Sequence, residues 1–184
     1  ASINSTNKRL KYNMFNSLKK INNTKTIPED SIFEIFNIAI QNTDEEVRIA
    51  AASQISLLPN NSERSQTIIN SFVNDENSPH VRTAVIDELS KISEESPEFV
   101  KETISSLLKD KVREVRLGVI DSLHNIKISS ENDLIPSILI DFLDNSEEWR
   151  EHYEVANLFV SQKIHNIDIL RKLLLNDFFK VRLL

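Results

Sequence analysis

Hydrophobic residues follow a helical spacing in this chain, and the spacing itself repeats. In three segments, small or apolar residues stand three, four and eight positions after a valine, which places them on one face of a helix. An arginine follows each of these valines. The hydrophobe–arginine pairs are Val47–Arg48, Val81–Arg82 and Val115–Arg116, with Trp149–Arg150 as the fourth, each 34 residues after the one before. We therefore predict one helix, named helix B, in each repeat.

A second amphipathic pattern precedes each helix B and predicts a partner, named helix A. The candidate segments are SIFEIFNIAI, SQTIINSFV, PEFVKETISSLL, DLIPSILIDFL and NIDILRKLLL. Ser78–Pro79 and Ser96–Pro97 each predict a helix start, because serine can accept a backbone N–H of the first turn and proline suits the first helical position. The predicted units are a leading helix at 5–22, pairs at 28–58, 62–93, 96–127 and 131–163, and a partial pair at 165–184.

These helix pairs predict an all-α fold in which residues 1–184 form a single α-solenoid of about five repeats. Each pair buries its apolar face by stacking on its neighbours. The chain has one glycine and five prolines, which leaves few turn residues for strands. The leading helix lacks a helix A, and the sequence stops one turn into another helix B. We therefore expect this chain to be a piece of a longer array.

The repeated arginine is predicted to hold adjacent repeats in register. A cation near a helix start gains nothing from the helix dipole, so it needs another partner. The residue six positions before it lies in the predicted A–B turn, and a carboxylate there could accept from turn amides and from an arginine of the adjacent repeat. This predicted ladder comprises Arg48, Arg82, Arg116, Arg150, Glu76, Asp110 and Asp144. Direct contact of the arginines with a binding partner is the alternative.

The order of helix A, short acidic turn and V-R-x-x-A resembles the HEAT repeat over about residues 28–182, and Pro136 stands where HEAT A helices often carry proline. The segments EVRIAAAS, EVRLGVIDSL and LIPSILIDFLDNSEEWR resemble successive repeats of the scaffolding A subunit of protein phosphatase 2A. That resemblance implies a non-catalytic scaffold for protein–protein interaction, without a cofactor. Its partners would be a Ser/Thr phosphatase catalytic subunit and a regulatory subunit.

One departure from that scaffold concerns the fourth repeat. The family's WRVR turn carries an exposed tryptophan two residues before the valine position. Here Trp149 is assigned to the valine position itself, and Glu147 stands where the exposed tryptophan would be. This argues against transferring the family's partner contacts at this turn.

The resemblance also implies that the A–B turns align along one edge that binds partners, which we name the turn edge. Its predicted residues are Asp44, Glu45, Glu46, Asn77, Pro79, His80, Lys111, Arg113, Glu147, Glu148, Phe178, Phe179 and Lys180. Phe178 and Phe179 are adjacent in a predicted turn and cannot both face one core. One of them is therefore expected to be either an exposed anchor or covered by the continuing array.

Charge and composition narrow the possible functions. The net charge of −6 argues against nucleic acid as a partner, because phosphate backbones attract clustered cations. No apolar run approaches the roughly 20 residues of a membrane span, and we expect no membrane partner. One glycine excludes G-x-G-x-x-G and G-x-S-x-G motifs, and the four histidines show no metal-binding spacing. We therefore expect neither a metal site nor enzyme activity. The lack of cysteine fits a reducing compartment, so a cytoplasmic or nuclear location is expected.

Two other functions fit parts of the pattern. A HEAT-type transport or assembly adaptor would use the acidic surface to bind basic segments of other proteins. A HEAT-like DNA glycosylase would need a basic concave cleft, and the overall acidity of the chain argues against it. The basic segment NKRLKYNMFNSLKK is the main feature in favour of an anionic partner, and it also fits the polar face of an amphipathic helix.

Overall fold

The computed structural model describes residues 27–59, 62–125, 134–162 and 166–175, together with Asn13, Phe15, Ser17, Lys20 and Ile21 of the leading segment. Every regular element among these residues is helical, so the all-α prediction is confirmed. No helix among them is both long and apolar enough to span a membrane.

The described residues form nine α-helices that match the predicted A and B segments. Helices α1, α3, α5, α7 and α9 correspond to predicted helices A, and α2, α4, α6 and α8 correspond to predicted helices B. In chain order they are α1 (Glu29–Ile40), α2 (Glu45–Ala52), α3 (Glu63–Val73), α4 (Pro79–Ile92), α5 (Pro97–Leu107), α6 (Arg113–Ser122), α7 (Leu134–Asn145), α8 (Trp149–Gln162) and α9 (Ile167–Leu174). Short 3-10 turns at Ile55–Leu57 and Leu123–Asn125 follow α2 and α6.

Polar side chains set several helix starts. The Ser78 hydroxyl accepts the backbone N–H of Val81 at 3.1 Å, and Pro79 is the first residue of α4, as the sequence predicted. Pro97 likewise begins α5. Asp44 caps α2 and Asn166 caps α9 by accepting N–H groups of their first turns. Each such cap contributes about 1 kcal/mol to stability.

The chain divides into two compact units, Ala1–Val100 and Lys101–Leu184. In the first unit α1 packs on α3 and α2 packs on α4, so helices A lie beside helices A and helices B beside helices B. Consecutive helices also contact one another, and the 3-10 turn after α2 packs on α4. The result is two layers of helices with an apolar core between them.

Three phenylalanine rings run through the core of the first unit. The Phe36 ring of α1 lies edge-on to Phe15 of the leading segment, with centroids 5.8 Å apart. It also lies edge-on to Phe72 of α3, at 6.3 Å. All three side chains are fully buried. Edge-to-face ring pairs add stabilisation to that gained from burying apolar area. Through Phe36, the leading segment and the first two helices A therefore share one aromatic cluster.

The second unit repeats the alternate packing. Helix α6 contacts α8, and α7 contacts α9. Val115, Val119 and Ile120 of α6 and Leu123 of the following 3-10 turn are all fully buried. Helix α8 also contacts the 3-10 turn that follows α6.

The buried face of α8 corrects the register predicted for the fourth repeat. Trp149 is partly exposed and Arg150 is exposed, whereas Glu151 is only 1% exposed. The next buried positions of α8 are Val155, Ala156, Leu158 and Phe159. They correspond to Val119, Ile120 and Ser122 of α6 and to Leu123 at the start of the following 3-10 turn. Equivalent positions in these two repeats are therefore 36 residues apart, whereas the alignment from the sequence used 34. Glu151 therefore occupies the valine position, His152 the arginine position, and the assignment of Trp149–Arg150 as the fourth pair is wrong.

Candidate functional site at the A–B turns

Side chains of the A–B turns fix the turn backbone by accepting its amides. Asn42 accepts the N–H of Asp44 at 2.9 Å. Asp75 Oδ1 accepts the N–H groups of Asn77 and Ser78, each at 3.0 Å. Short polar side chains favour turns for this reason, because they reach backbone amides two or three residues ahead. The turns are therefore held in a defined conformation before any partner binds.

Side chains of the A–B turns also accept backbone amides in the second unit. Asp110 Oδ1 accepts the N–H of Val112 at 2.8 Å. In the next turn the Ser146 hydroxyl accepts the N–H of Glu148 at 3.3 Å.

Arg48 joins two successive turns of the first unit. Its Nη1 donates to the carbonyl oxygen of Asn42, in its own turn, at 2.9 Å. Its Nε donates to Asp75 Oδ2, in the following turn, at 2.6 Å. The two side chains are 10% and 8% exposed, so the ion pair is largely shielded from water.

The link from Arg48 has the predicted chemistry but uses a different carboxylate. The sequence assigned Glu76 to the ladder, and Glu76 is exposed. Asp75 is selected because its short side chain also accepts the turn amides ahead of it, which directs its second oxygen at Arg48. Arg82 donates through Nη1 to the backbone carbonyl of Asp75 at 2.6 Å. Asp75 is thus bound by the arginines of two successive helices B.

Arg116 makes the corresponding link in the second unit. Its Nη1 donates to the Asp110 carbonyl at 2.6 Å, and its Nη2 lies 2.7 Å from Glu151 Oε1. The other oxygen of Glu151 accepts from the Ser146 hydroxyl at 2.5 Å. The carboxylate therefore comes from helix α8 and not from the predicted turn residue Asp144. Asp144 is exposed and pairs with Lys172 of α9.

His152 occupies the arginine position of the fourth repeat. Its Nε2 lies 2.7 Å from the carbonyl oxygen of Ser146, six residues earlier. Arg48 and Arg116 contact carbonyl oxygens at that same separation of six residues. The residue predicted for this role, Arg150, is exposed and lies beside the Trp149 ring, 5.4 Å from its centroid.

A groove of about 520 Å³ lies between the two A–B turns of the second unit, next to the Arg116–Glu151 pair. We name it the acidic groove. It is lined by Ser105, Leu108, Lys109, Asp110, Arg116, Ile138, Asp141, Phe142, Asn145, Ser146, Glu147, Glu148 and Glu151. Helices α5 and α7 form its walls and the turns form its rim.

A groove of similar size, about 570 Å³, lies between the turns of the first unit, next to Arg48. We name it the amide groove because uncharged polar side chains dominate its lining. It is lined by Ile40, Gln41, Asn42, Thr43, Arg48, Ser71, Asn74, Asp75, Glu76 and Asn77. The two grooves share one construction, in which an arginine of helix B binds a carboxylate of the following repeat.

The structure describes ten of the thirteen residues predicted for the turn edge. The exposed ones are Glu45, Glu46, Asn77, His80, Lys111, Glu147 and Glu148, and the partly buried ones are Asp44, Pro79 and Arg113. Phe178, Phe179 and Lys180 lie outside the described residues. The acidic groove brings together Glu147 and Glu148. Glu45 instead accepts from the Ser78 hydroxyl of the next turn and so takes part in turn–turn packing.

Several residues of the acidic groove were not predicted. Ser105, Asp141 and Asn145 lie on helices A, outside the turns that the sequence pattern singled out. Their polar positions on α5 and α7 are visible in the sequence, but only the folded structure shows that they line one groove. Arg113, which was predicted, does not line it, and its buried Nε has no hydrogen-bond partner.

Across the described ranges, no group of three or more histidine, aspartate or glutamate side chains is arranged to hold a metal ion. No protein-family model, curated protein or solved structure matches this chain. The HEAT-type repeat and the scaffold function therefore stay predictions from the sequence.

Proposed function

We propose that this protein is a non-catalytic HEAT-type α-solenoid that binds other proteins through its A–B turns. The observation that carries this proposal is the linking of successive repeats, next to their A–B turns, by Arg48–Asp75 and by Arg116–Glu151, each beside an open groove. A surface whose backbone is already fixed loses little conformational entropy on binding. Preformed turns with exposed polar side chains are therefore suited to protein recognition.

The alternate packing of helices supports the solenoid part of the proposal. In the first unit α1 lies on α3 and α2 on α4, and in the second α6 lies on α8 and α7 on α9. This is how helical repeats stack, each pair covering the apolar face of the next. Two buried charges are also accounted for by stacking, since Arg48 binds Asp75 of the following repeat and Glu151 binds Arg116 of the preceding one.

A narrower form of the proposal is a phosphatase 2A-like scaffold that holds a catalytic and a regulatory subunit. The corrected register of α8 supports it. With Glu151 in the valine position, Trp149 stands two residues earlier, where the scaffold's WRVR turn carries its exposed tryptophan. Trp149 is partly exposed and so fits the tryptophan of that turn, while Glu151 and His152 stand where the turn carries its valine and second arginine.

The narrower proposal is tested by mixing the purified chain with the phosphatase 2A catalytic subunit and measuring complex formation by size-exclusion chromatography. We expect a complex that is lost in a Lys111→Glu/Glu147→Arg variant and kept in Glu94→Arg. Glu94 is exposed at the opposite end of α4 from its A–B turn. If the unmodified chain forms no complex, the proposal of a phosphatase 2A-like scaffold is wrong.

The general proposal is tested by placing a photo-crosslinking amino acid at His80 or, as the matched control, at Glu94. Both positions are exposed, and they lie at opposite ends of α4. We expect defined protein partners to be crosslinked from position 80 and absent from position 94. Equal recovery from both positions, or none from either, would contradict a binding role for the turns.

A further inference from the structure

We infer that the acidic groove binds an extended segment of a partner protein in which lysine or arginine stands next to an apolar residue. This inference rests on the proposed protein-binding function and specifies its partner chemistry. It follows from three properties of the groove: unpaired negative charge, apolar side chains in the lining, and a preformed shape.

The charge of the groove is the first property. Arg116 and Glu151 neutralise each other in their buried pair. Asp141, Glu147 and Glu148 are exposed, and their carboxylates have no hydrogen-bond or ion-pair partner among the described residues. Lys109 is the remaining cation in the lining. The groove therefore carries an excess of negative charge, which favours a cationic occupant.

The apolar lining is the second property. Leu108, Ile138 and Phe142, which are largely buried, also line the groove. Lysine and arginine have aliphatic stems that pack on apolar surface while the charged end stays near water and carboxylates. A volume of about 520 Å³ is within the range of sites that hold a few side chains. A protein segment meets both requirements, whereas a bare inorganic cation would use only the charge.

The preformed shape is the third property. The Ser146 hydroxyl and Arg116 both bind Glu151, and Arg116 also binds the Asp110 carbonyl. These contacts connect the two turns that border the groove. The groove walls are thus fixed relative to each other before binding, which reduces the entropic cost of association.

The amide groove of the first unit provides an internal comparison. It has a similar volume and the same arginine–carboxylate link, but Arg48 and Asp75 pair with each other. Glu76 is then the remaining charged residue of its lining, among asparagine, glutamine, serine and threonine. Selectivity for a cationic segment is therefore expected in the acidic groove and not in the amide groove.

The test measures fluorescence anisotropy of a labelled, capped peptide, Ser-Arg-Leu-Lys-Val-Arg-Ser, titrated with the full chain. The groove variant is Asp141→Asn/Glu147→Gln/Glu148→Gln. The matched control is Glu34→Gln/Glu94→Gln/Glu102→Gln, which removes the same charge from three exposed carboxylates outside the groove. A Glu76→Gln variant tests the amide groove. All substitutions are at exposed positions, and circular dichroism verifies that the fold is retained.

We expect the groove variant to weaken binding by about tenfold or more, since each exposed ion pair contributes up to roughly 1 kcal/mol. The control triple variant and Glu76→Gln should change binding by less than about twofold to threefold. A peptide with glutamine in place of its cations, and one with serine in place of leucine and valine, should both bind more weakly.

Equal losses in the groove variant and the control variant would overturn the inference, because they would indicate attraction to the acidic surface as a whole. Absence of peptide binding at low salt would overturn it too. Neither result would change the outcome of photo-crosslinking from position 80, which tests protein binding by the turns. Failure of the groove inference can therefore be told apart from failure of the protein-binding proposal.

Discussion

Arg116 and Glu151 form a buried ion pair between consecutive helices B of the second unit, with Nη2 and Oε1 2.7 Å apart. Glu151 occupies a position that holds valine in the three preceding repeats. A buried carboxylate is stable there because Arg116 and the Ser146 hydroxyl satisfy its oxygens. The pair therefore does in the second unit what Arg48–Asp75 does in the first.

Removing Arg116 should destabilise the protein strongly. Arg116→Met leaves Glu151 buried without its cation, which typically costs about 3–5 kcal/mol. The double variant Arg116→Met/Glu151→Leu should recover most of this loss, because neither charge then remains in the core. Urea unfolding of both variants measures the difference in free energy of unfolding. A single variant as stable as the unmodified chain would show that the pair contributes nothing.

Asp75 and Glu76 should differ sharply although they are adjacent acids of one turn. Asp75→Asn removes the charge that binds Arg48 and is expected to cost about 1.5–3 kcal/mol. Glu76→Gln, at an exposed position, should stay within about 0.5 kcal/mol. Urea unfolding compares the two, and similar losses from both would contradict the assignment of Asp75 as the linking residue.

The corrected register of α8 predicts different outcomes at His152 and Arg150. His152→Ala should lose about 1 kcal/mol with its contact to the Ser146 carbonyl. His152→Arg should be close to neutral, because arginine makes the same contact in two other repeats. Arg150→Ala should change stability by less than about 0.5 kcal/mol. Thermal unfolding provides the readout, and a larger loss at Arg150 than at His152 would restore the register first read from the sequence.

Phe36 should be among the most sensitive core positions of the first unit. Phe36→Ala removes the ring that contacts both Phe15 and Phe72, and large-to-small changes of this kind cost about 3–5 kcal/mol. Ile38→Ala, on the same helix but 37% exposed, should cost about 1 kcal/mol or less. Equal effects in urea unfolding would mean that the three rings do not act as a continuous core.

The sequence predicted the helices and the arginine link because both leave local signals. Apolar residues at helical spacing locate α1 to α9, and the recurrence of Val-Arg indicated a structural role for Arg48 and Arg116. The choice of Asp75 over Glu76 was not predictable from residue type, since both are acids in the same turn. It depends on which carboxylate also reaches the turn amides.

The register of α8 was missed for a related reason. Alignment on the visible Trp149–Arg150 pair looks correct, because a buried glutamate such as Glu151 carries no hydrophobic signal. Only the presence of Arg116 on the neighbouring helix makes that position suitable for a carboxylate. The acidic groove was missed because its residues come from separate helices whose pairing the local pattern does not specify.

The two inter-repeat links use different acceptors: Arg48 binds an aspartate in the next turn, and Arg116 binds a glutamate within the next helix B. The repeats are therefore not interchangeable parts. A copy of α4, with Val81 in place of Glu151, would leave Arg116 without its carboxylate partner if it replaced α8. Duplicating or shuffling single repeats would then destabilise the protein where the new neighbours meet. A consensus design that averaged the repeats would remove the Arg116–Glu151 pair, which holds α6 beside α8.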